Sequence, residues 1–357
     1  MAVNISIIGL GLIGGSIAKS LKQSNEIYIN AFDRVNVLDI AYSEKVIDNK
    51  LENIEQSLQS DIIFLCLPVD ESLKAFKKLT PLLRENQIIT DVCGVKTPFH
   101  DFWIQAKPNG TYVGGHPMTG KEVSGFEHSD PTLFENSVYI LCDVEEKNKS
   151  ILPLFNLINK LGARITFLSS KVHDIVVASV SHLPQLLAIS LINSASLKEN
   201  DINFFDFAAG GFRDMTRIAS SDFSIWESIF SYNRKNIVYA IENFVNELNT
   251  LKKMILSENT TSLKERFESA RIKRDEIPRN TKGFISSLFD IFVYVKDEPG
   301  VLAKLTSVLF ENGINIKDIE LLKVREGTGG TFRISFESEN VAKTAKKILV
   351  ESGFNVN

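Results

Sequence analysis

The stretch "NISIIGLGLIGGSIAKSLK", residues 4–22, decides the fold of the N-terminal part of this chain. Gly9, Gly11 and Gly14 form the pattern G-x-G-x-x-G between an apolar, β-rich run and a segment with helical periodicity. In this setting the first glycine permits a tight turn, the second lets a pyrophosphate approach the backbone, and the third lets the helix pack closely on the strand. The stretch therefore predicts the first strand, turn and helix of a dinucleotide-binding domain.

The residues around this turn favour NAD as the dinucleotide. Leu12 and Ile13 begin the helix, so their amides would face the pyrophosphate. Asp33 ends the second β-rich run, where a carboxylate accepts hydrogen bonds from both ribose hydroxyls and repels a 2′-phosphate. Arg34 keeps NADP open as an alternative, because a guanidinium beside the carboxylate could hold that phosphate.

Composition bounds the class of protein. The chain has 357 residues, 44% hydrophobic and 24% charged, with a net charge of -4, which suits two or three globular domains and gives no indication of a nucleic-acid partner. Three widely spaced cysteines without a C-x-x-C pair argue against a disulfide framework and against a zinc site. The apolar beginning lacks a basic n-region, and no apolar run reaches the roughly 20 residues that span a bilayer. We expect a cytoplasmic protein with no membrane partner.

Periodicity divides the chain into three predicted domains. Residues 1–168 alternate β-rich runs with helical patterns, which predicts a Rossmann-type α/β domain with a parallel sheet and helices on both faces. Residues 169–283 carry long segments with apolar residues at helical spacing, which predicts an all-helical substrate and dimerisation domain. Its end, residues 264–283, indicates a solvated helix followed by a linker. Residues 287–357 predict a small βαββαβ domain.

The segment "GGHPMTG", residues 114–120, places His116 at a turn after a predicted strand. Removal of hydride from a carbinol carbon leaves a hydroxyl proton, and an imidazole with a pKa of about 6.5 is suited to take it. The flanking glycines leave room for a ligand, although a turn histidine that caps backbone is the alternative. The remaining histidines are predicted to be surface, satisfied core or structural residues: His100, His128, His173 and His182.

Two arginines form a second candidate cluster in "AAGGFRDMTRIASSDFSIW", residues 208–226. Arg213 and Arg217 are four residues apart, so on a helix they share one face and can bind one or two carboxylates. The alternative is a surface pair in salt bridges with Asp214 and Asp222. The residues by themselves thus indicate an NAD-dependent dehydrogenase of a small anionic substrate.

Taken together, the motifs resemble the prephenate dehydrogenase family of tyrosine biosynthesis along nearly the whole chain. The segments that carry the resemblance are "GLGLIGGS", "TDVCGVK", "GGHPMTGKEVSGF", "LFENSVYIL", "SHLPQLLA" and "GGFRDMTRIASSD". The resemblance implies oxidative decarboxylation of prephenate to 4-hydroxyphenylpyruvate with reduction of NAD+. It also implies that His116 is the catalytic histidine, that Arg217 binds a substrate carboxylate, and that Arg213 lies near the side-chain carboxylate. Trp226 matches a position near the substrate, although an aromatic anchor of a helical dimer is an equal reading.

The chain departs from the family pattern at two positions. Gly94 stands where much of the family has a serine that helps orient the histidine and the substrate, so the resemblance implies a less constrained base or a water there. Gln185 stands where many relatives have a histidine, which keeps arogenate open as the substrate. Ser181 lies four residues before it and shares its helix face, so both are candidate substrate-binding residues. Pro184 between them predicts a kink or a helix start.

The C-terminal segment "VKDEPGVLAKLTSVLFENGINI" resembles an ACT domain, in which Gly300 lets the backbone approach a ligand carboxylate. The resemblance implies tyrosine as a feedback inhibitor, with a role in assembly alone as the alternative. The long helices of residues 169–283 indicate a homodimer formed through the helical domain. From other classes, a non-catalytic protein that senses NAD and an amino acid is supported by Gly94 alone, and a generic hydroxyacid dehydrogenase fits the motifs poorly.

Overall fold

The computed structural model describes residues 3–24, 26–121, 123–196, 198–199, 202–276, 288–325 and 329–357 of the chain. The chain divides into two compact units, Met1–Glu265 and Arg266–Asn357. The predicted domain limits at residues 283 and 287 lie outside the described residues. The predicted limit after residue 168 falls between the last strand of a large sheet and the first helix of a helical region.

The first unit contains an eight-stranded sheet. Its strands are β1 (Val3–Ile8), β2 (Ile27–Phe32), β3 (Asn49–Lys50), β4 (Ile62–Leu65), β5 (Ile88–Asp91), β6 (Thr111–Pro117), β7 (Val138–Cys142) and β8 (Arg164–Leu168). They lie in the order β3-β2-β1-β4-β5-β6-β7-β8. The β4 and β5 strands are buried along their whole length, as expected of sheet strands covered by helices on both faces. The chain reverses its direction of winding between β1 and β4, where the carboxyl ends of neighbouring strands open a crevice for a ligand.

Helices cover this sheet and continue into a helical region. Those around the sheet are α1 (Leu12–Leu21), α2 (Val35–Ser43), α3 (Val69–Leu79), α4 (Thr97–Ala106) and α5 (Leu152–Lys160). Those of the helical region are α6 (Ser170–Val177), α7 (Leu183–Ala195), α8 (Gly210–Thr216), α9 (Phe223–Tyr232), α10 (Arg234–Leu256) and α11 (Thr260–Glu276), with a two-stranded ribbon of β9 (Lys198–Glu199) and β10 (Ile202–Asn203). The predicted architecture of a Rossmann-type domain followed by helices is confirmed.

The prediction of a parallel sheet is wrong at one strand pair. The β7 strand runs antiparallel to β6, with His116 opposite Ile140, and β8 then runs parallel to β7. A parallel partner for β6 would need a crossover helix to carry the chain back across the sheet. Among the residues that the structure describes between the two strands, the only helical element is a short 3₁₀ turn, Phe126–His128, so the chain returns directly and β7 is reversed.

The α6 and α7 helices form one continuous helical run, Ser170–Ala195, interrupted by a π-helical segment, Ala178–His182. Pro184 lies in the first turn of α7, as predicted. Proline cannot donate to the carbonyl four residues earlier, and a local widening of the helix accommodates that loss. The π segment therefore sets the direction in which the side chains of Ser181 and His182 point.

The length and apolar character of this run would allow it to cross a membrane, contrary to the prediction that no apolar stretch is long enough. Its polar side chains nevertheless bond to other parts of the first unit. Asp174 accepts from backbone amides at the start of α4, and Gln185 donates to the carbonyl of Ile218. These bonds attach one face of the run to the rest of the unit, although only 28% of its most apolar window is buried.

The second unit has the predicted βαββαβ order. Its elements are β11 (Phe289–Val295), α12 (Val301–Glu311), β12 (Asp318–Arg325), β13 (Gly329–Phe336), α13 (Glu339–Glu351) and β14 (Asn355–Val356). The antiparallel sheet has the order β12-β13-β11-β14, and side chains from both helices pack with the buried face of β11 and β13. Ile291, Val293 and Val295 point into this core while the residues between them are exposed, the alternation of a sheet covered on one face.

Candidate active site

The glycine turn of the first unit fits a pyrophosphate. Gly9 has a φ of +98°, and a Cβ on Gly14 would lie 1.9 Å from the carbonyl oxygen of Gly9, so both positions require glycine. A Cβ on Gly11 would meet nothing within 4 Å, which leaves this side of the turn open. The α1 helix begins at Leu12, and Gly11 has no side chain with which to cap the first amides of Leu12 and Ile13. Those amides are therefore suited to an anionic group.

Asp33 lies at the end of β2, beside the glycine turn. Its Oδ2 accepts a 2.6 Å hydrogen bond from the amide of Leu10, and its Oδ1 accepts one of 2.6 Å from the amide of Arg34. These bonds fix the carboxylate at the crevice, where it suits the hydroxyls of a ribose. The Arg34 side chain is 80% exposed, with its Nε 3.8 Å from Asp33 Oδ1, so it stands at the same edge.

His116 lies near the end of β6, half-buried, and contacts a second histidine. Its Nδ1 is 2.8 Å from Nε2 of His173, and the two rings meet edge to face with centroids 5.0 Å apart. Nε2 of His116 is the ring nitrogen that remains for a ligand. His173 is fully buried on α6 and was predicted only as a surface or satisfied core residue. Sequence reasoning thus missed that it bonds directly to the candidate base.

Asp174 extends this chain of contacts. Its Oδ1 is 2.8 Å from Nδ1 of His173 and accepts a 2.8 Å bond from the amide of Lys96, while its Oδ2 accepts a 3.0 Å bond from the amide of Thr97. The sequence signal for the pair was two adjacent polar residues between the apolar Val172 and Ile175. Only the fold brings that helix against the start of α4 and the end of β6.

A buried ion pair lies beside the histidines. The Nζ of Lys96 contacts Oδ1 of Asp91, and both side chains are fully buried. The hydroxyl of Tyr112 donates a 2.9 Å hydrogen bond to Oδ2 of the same carboxylate. A buried carboxylate with these two donors is satisfied, and its charge is balanced by the ammonium.

The surroundings keep the histidines of this site neutral. Burial lowers the pKa of His116 well below its ordinary value, and the neighbouring His173, Lys96 and His182 act in the same direction. Burial also lowers the pKa of His173, against the opposing effect of its bond to Asp174. An uncharged imidazole is the form that can accept a proton.

The α9 helix covers this site from the helical region. A Cβ on Gly94 would lie 3.5 Å from Cδ1 of Ile229 and 4.0 Å from Cε1 of His116, so the position without a serine directly faces the imidazole. Trp226 packs edge-on against His182 at 6.0 Å between centroids and stacks on Phe230. The aromatic contacts of Trp226 are thus made with residues of the same chain.

The four residues predicted to bind substrate lie on neighbouring elements. Arg213 is exposed on α8, and Arg217 is exposed where α8 gives way to a 3₁₀ turn. Ser181 is half-buried in the π segment. Gln185 is buried, and its Nε2 donates a 3.0 Å hydrogen bond to the carbonyl of Ile218. Its amide therefore contacts the turn that carries Arg217, and its contact with substrate stays a prediction.

The three remaining histidines have contacts of their own. His182 is buried, with its Nδ1 3.2 Å from Nδ2 of Asn233, which agrees with a structural role. The Nδ1 of His100 is 2.9 Å from Oδ2 of Asp143, and His128 is exposed near Glu127.

Comparison with known proteins gives consistent matches. Three family models match consecutive segments: "Prephenate dehydrogenase, nucleotide-binding domain" at residues 17–167, "Prephenate dehydrogenase, dimerization domain" at 169–269 and "ACT domain" at 289–353. The prephenate dehydrogenase of Bacillus subtilis is 33% identical over 98% of this chain and 96% of its own length. That of Lactococcus lactis is 34% identical over 97% of both. The structure of A. aeolicus prephenate dehydrogenase with hydroxyphenyl propionate and NAD+ matches with a TM-score of 0.70 and 32% identity, over 78% of this chain and 99% of that one.

Proposed function

The chain belongs to the prephenate dehydrogenase family, and we propose that His116 is the general base of its reaction. It is an NAD-dependent oxidoreductase that converts prephenate to 4-hydroxyphenylpyruvate with loss of carbon dioxide. The observation that carries the proposed role is the position of His116, a neutral imidazole at the carboxyl end of β6 with one ring nitrogen fixed by His173.

In the proposed mechanism the proton of the ring hydroxyl passes to His116 while hydride leaves the carbon that bears this hydroxyl. NAD+ bound at the glycine turn supplies the hydride acceptor. The bond between the ring and its carboxylate then breaks, carbon dioxide leaves, and the electron pair of that bond completes the aromatic ring. The phenolic oxygen takes a proton back from His116, so the base is restored and no net proton is released.

The cofactor contacts proposed for this chain follow from the crevice. The amides of Leu12 and Ile13 would face the pyrophosphate, and Gly9, Gly11 and Gly14 would let the backbone approach it. Asp33 accepts from the ribose hydroxyls, which favours NAD. Arg34 lies at the same edge, and we assign it to the adenosine side of the bound dinucleotide.

The substrate contacts proposed for this chain involve the arginines of the helical region. Prephenate carries two carboxylates, and Arg217 and Arg213 provide two guanidinium groups on neighbouring turns. Ser181 lies on the segment next to His182 and suits a hydrogen bond to substrate. Gln185 acts indirectly, because it holds the carbonyl of Ile218 and with it the turn that begins at Arg217.

Assembly, location and regulation complete the proposal. The match of residues 169–269 to a dimerization domain supports a homodimer. A biosynthetic role of this kind supports a cytoplasmic location. The ACT domain at residues 289–353 supports feedback inhibition by tyrosine. Its cavity of about 440 Å³ is bounded by Gly300 at the start of α12 and by apolar side chains that include Leu321 and Phe332. Backbone amides at a helix start and apolar walls suit the carboxylate and the ring of an aromatic amino acid.

The test of the proposed base uses purified protein, prephenate and NAD+, with formation of NADH followed by absorbance. We expect His116→Ala to lower kcat by at least about 100-fold, because general-base catalysis contributes on the order of 10² to 10⁴. His128→Ala is the matched control, since His128 is an exposed histidine of the same unit, and its rate should equal that of the unmodified protein.

Full activity of His116→Ala would contradict the proposed base. Running the same assay with arogenate decides the substrate preference that Gln185 left open. A higher kcat/KM on arogenate than on prephenate would assign the chain to the other substrate within the same chemistry.

A further inference from the structure

His116, His173 and Asp174 form an unbroken line of hydrogen-bonding groups from β6 to α6. The two nitrogen contacts in this line are each 2.8 Å, and His173 is fully buried at its centre. A neutral imidazole has one nitrogen that donates and one that accepts, so fixing the proton on one ring decides the proton position on the next. The question is which nitrogen of His116 carries the hydrogen.

The carboxylate at the inner end of the line decides this. Oδ1 of Asp174 accepts a 2.8 Å hydrogen bond from the amide of Lys96, and Oδ2 accepts one of 3.0 Å from the amide of Thr97. Although burial opposes ionisation, the hydrogen bonds from His173, Thr97 and Lys96 lower the pKa of Asp174. An ionised carboxylate can only accept, so Nδ1 of His173 must be the donor in their contact.

The contact between the two rings fixes the hydrogen of His116 in the same way. With its hydrogen on Nδ1, neutral His173 presents an unprotonated Nε2 to His116. Nδ1 of His116 must then donate, which leaves Nε2 of His116 with its lone pair free. We propose that His173 and Asp174 are positioning residues that hold His116 in the tautomer protonated on Nδ1, so that its Nε2 can accept a proton. The catalytic consequence rests on the proposed function, whereas the tautomer itself does not.

The charges around the line favour this arrangement over the reverse. The reverse would require His173 protonated on both nitrogens, so that it donates to Asp174 and to His116 together. Burial lowers the pKa of both rings, and the ammonium of Lys96 lowers both further, whereas the bond to Asp174 raises that of His173 without outweighing burial. Protonation of His173 on both nitrogens would place a second cation in the buried cluster that already holds the ammonium of Lys96.

The tautomer can be read directly by nitrogen NMR with isotope-labelled imidazole rings, since the chain has five histidines. The His116 signals are identified by their absence from the spectrum of His116→Ala. We expect a hydrogen on Nδ1 of His116 and none on Nε2 in the full-length protein at neutral pH. A His116 ring protonated mainly on Nε2 would overturn the proposal, whatever the activity of the protein.

Two variants separate positioning from packing. In His173→Gln the side-chain oxygen can still accept from Nδ1 of His116, whereas His173→Leu fills the space without an acceptor. We expect His173→Leu to lower kcat by roughly 10- to 100-fold with little change in the KM for NAD+, by analogy with residues that orient metal-ligating imidazoles. We expect the kcat of His173→Gln to lie about midway, on a logarithmic scale, between those of His173→Leu and the unmodified protein. His116 should keep its hydrogen on Nδ1 in this variant.

Outcomes of the paired test are distinguishable. A His116 tautomer unchanged in His173→Leu, or equal kcat values for the two variants, would contradict the positioning role. If His116→Ala is fully active, the proposed function fails, and the NMR measurement still decides whether His173 and Asp174 set the tautomer.

Discussion

At the scale of single residues, two glycines beside His116 differ in whether a side chain would fit in their place. A Cβ on Gly115 would lie 2.5 Å from the carbonyl oxygen of Asp91 in the neighbouring strand, so β6 can approach β5 only with glycine there. A Cβ on Gly94 would make ordinary contacts with Ile229 and His116 at 3.5 and 4.0 Å. The space for the serine of the family motif is therefore present, although the chain does not use it.

We predict that Gly94→Ser folds with an unchanged or higher melting temperature. Its backbone is outside the left-handed region, and replacing glycine at a compatible site restricts the unfolded chain. Gly115→Ala should melt at least roughly 3 °C lower, because overpacking against backbone costs about 1–3 kcal/mol. Thermal unfolding of both variants in parallel checks this, and a lower melting temperature for Gly94→Ser than for Gly115→Ala would contradict it.

At the scale of elements, the helical run Ser170–Ala195 brings several polar groups into the interior. His182 is buried, and its Nδ1 faces the Nδ2 of Asn233, which also donates a 2.7 Å bond to the carbonyl of Asp174. Because the amide nitrogen donates, Nδ1 of His182 must accept. Burial lowers the pKa of His182 to about 4. Asp174 opposes this effect, and His173 adds a smaller lowering.

This predicts that part of the loss of stability on acidification comes from His182. The unfolded chain binds a proton on His182 at a pH of about 6.5, whereas the folded chain binds it only near pH 4. The stabilisation is therefore complete above pH 6.5 and declines as the pH falls from 6.5 towards 4, by about 1.4 kcal/mol per pH unit. His182→Asn keeps an acceptor for Asn233 and cannot be protonated, so it should lose about 2 kcal/mol less stability between pH 7 and pH 5.

Denaturant unfolding at the two pH values measures this difference. His128→Asn serves as the control, because His128 is exposed and its replacement should leave the pH dependence unchanged. An identical loss of stability in His182→Asn and the unmodified protein would show that His182 does not carry this dependence.

At the scale of the whole molecule, the chain combines two units with separate cores. The first, Met1–Glu265, carries the site around His116, and the second, Arg266–Asn357, carries the cavity at the start of α12. If tyrosine binds in that cavity, its effect on turnover is a coupling between two distinct sites, since it can act only through a difference in affinity between two states.

We predict that Ala303→Glu abolishes or weakens inhibition by tyrosine at least tenfold while turnover without tyrosine is unchanged. Ala303 lines the cavity in the first turn of α12, so the new carboxylate would repel that of the ligand. An acidic residue is favourable in the first turn of a helix, and the variant should therefore fold. Ser307→Glu, one turn further along the exposed side of α12 and outside the cavity lining, is the matched control. Equal inhibition of both variants would contradict tyrosine binding there.

Local signals in the sequence determined much of this protein. The glycine spacing at residues 9–14 and the acidic Asp33 depend only on the backbone of one strand, turn and helix, so they predicted the cofactor crevice directly. The periodicity of residues 288–357 likewise predicted the βαββαβ unit, because each of its elements alternates or repeats with its own period. His116 was identified from its glycine-rich turn and from the family motif.

The tertiary structure alone decided the reversal of β7, the buried contact of His173 with His116, and the use of the Gln185 amide on the carbonyl of Ile218. Each depends on which distant segments meet: His116 and His173 are 57 residues apart, and Gln185 and Ile218 are 33 apart. Periodicity gives the face that a residue occupies on its own element, but the partner on the facing element follows only from how the elements pack. The sequence therefore determined the cofactor turn and the candidate base, and packing decided which groups hold that base in place.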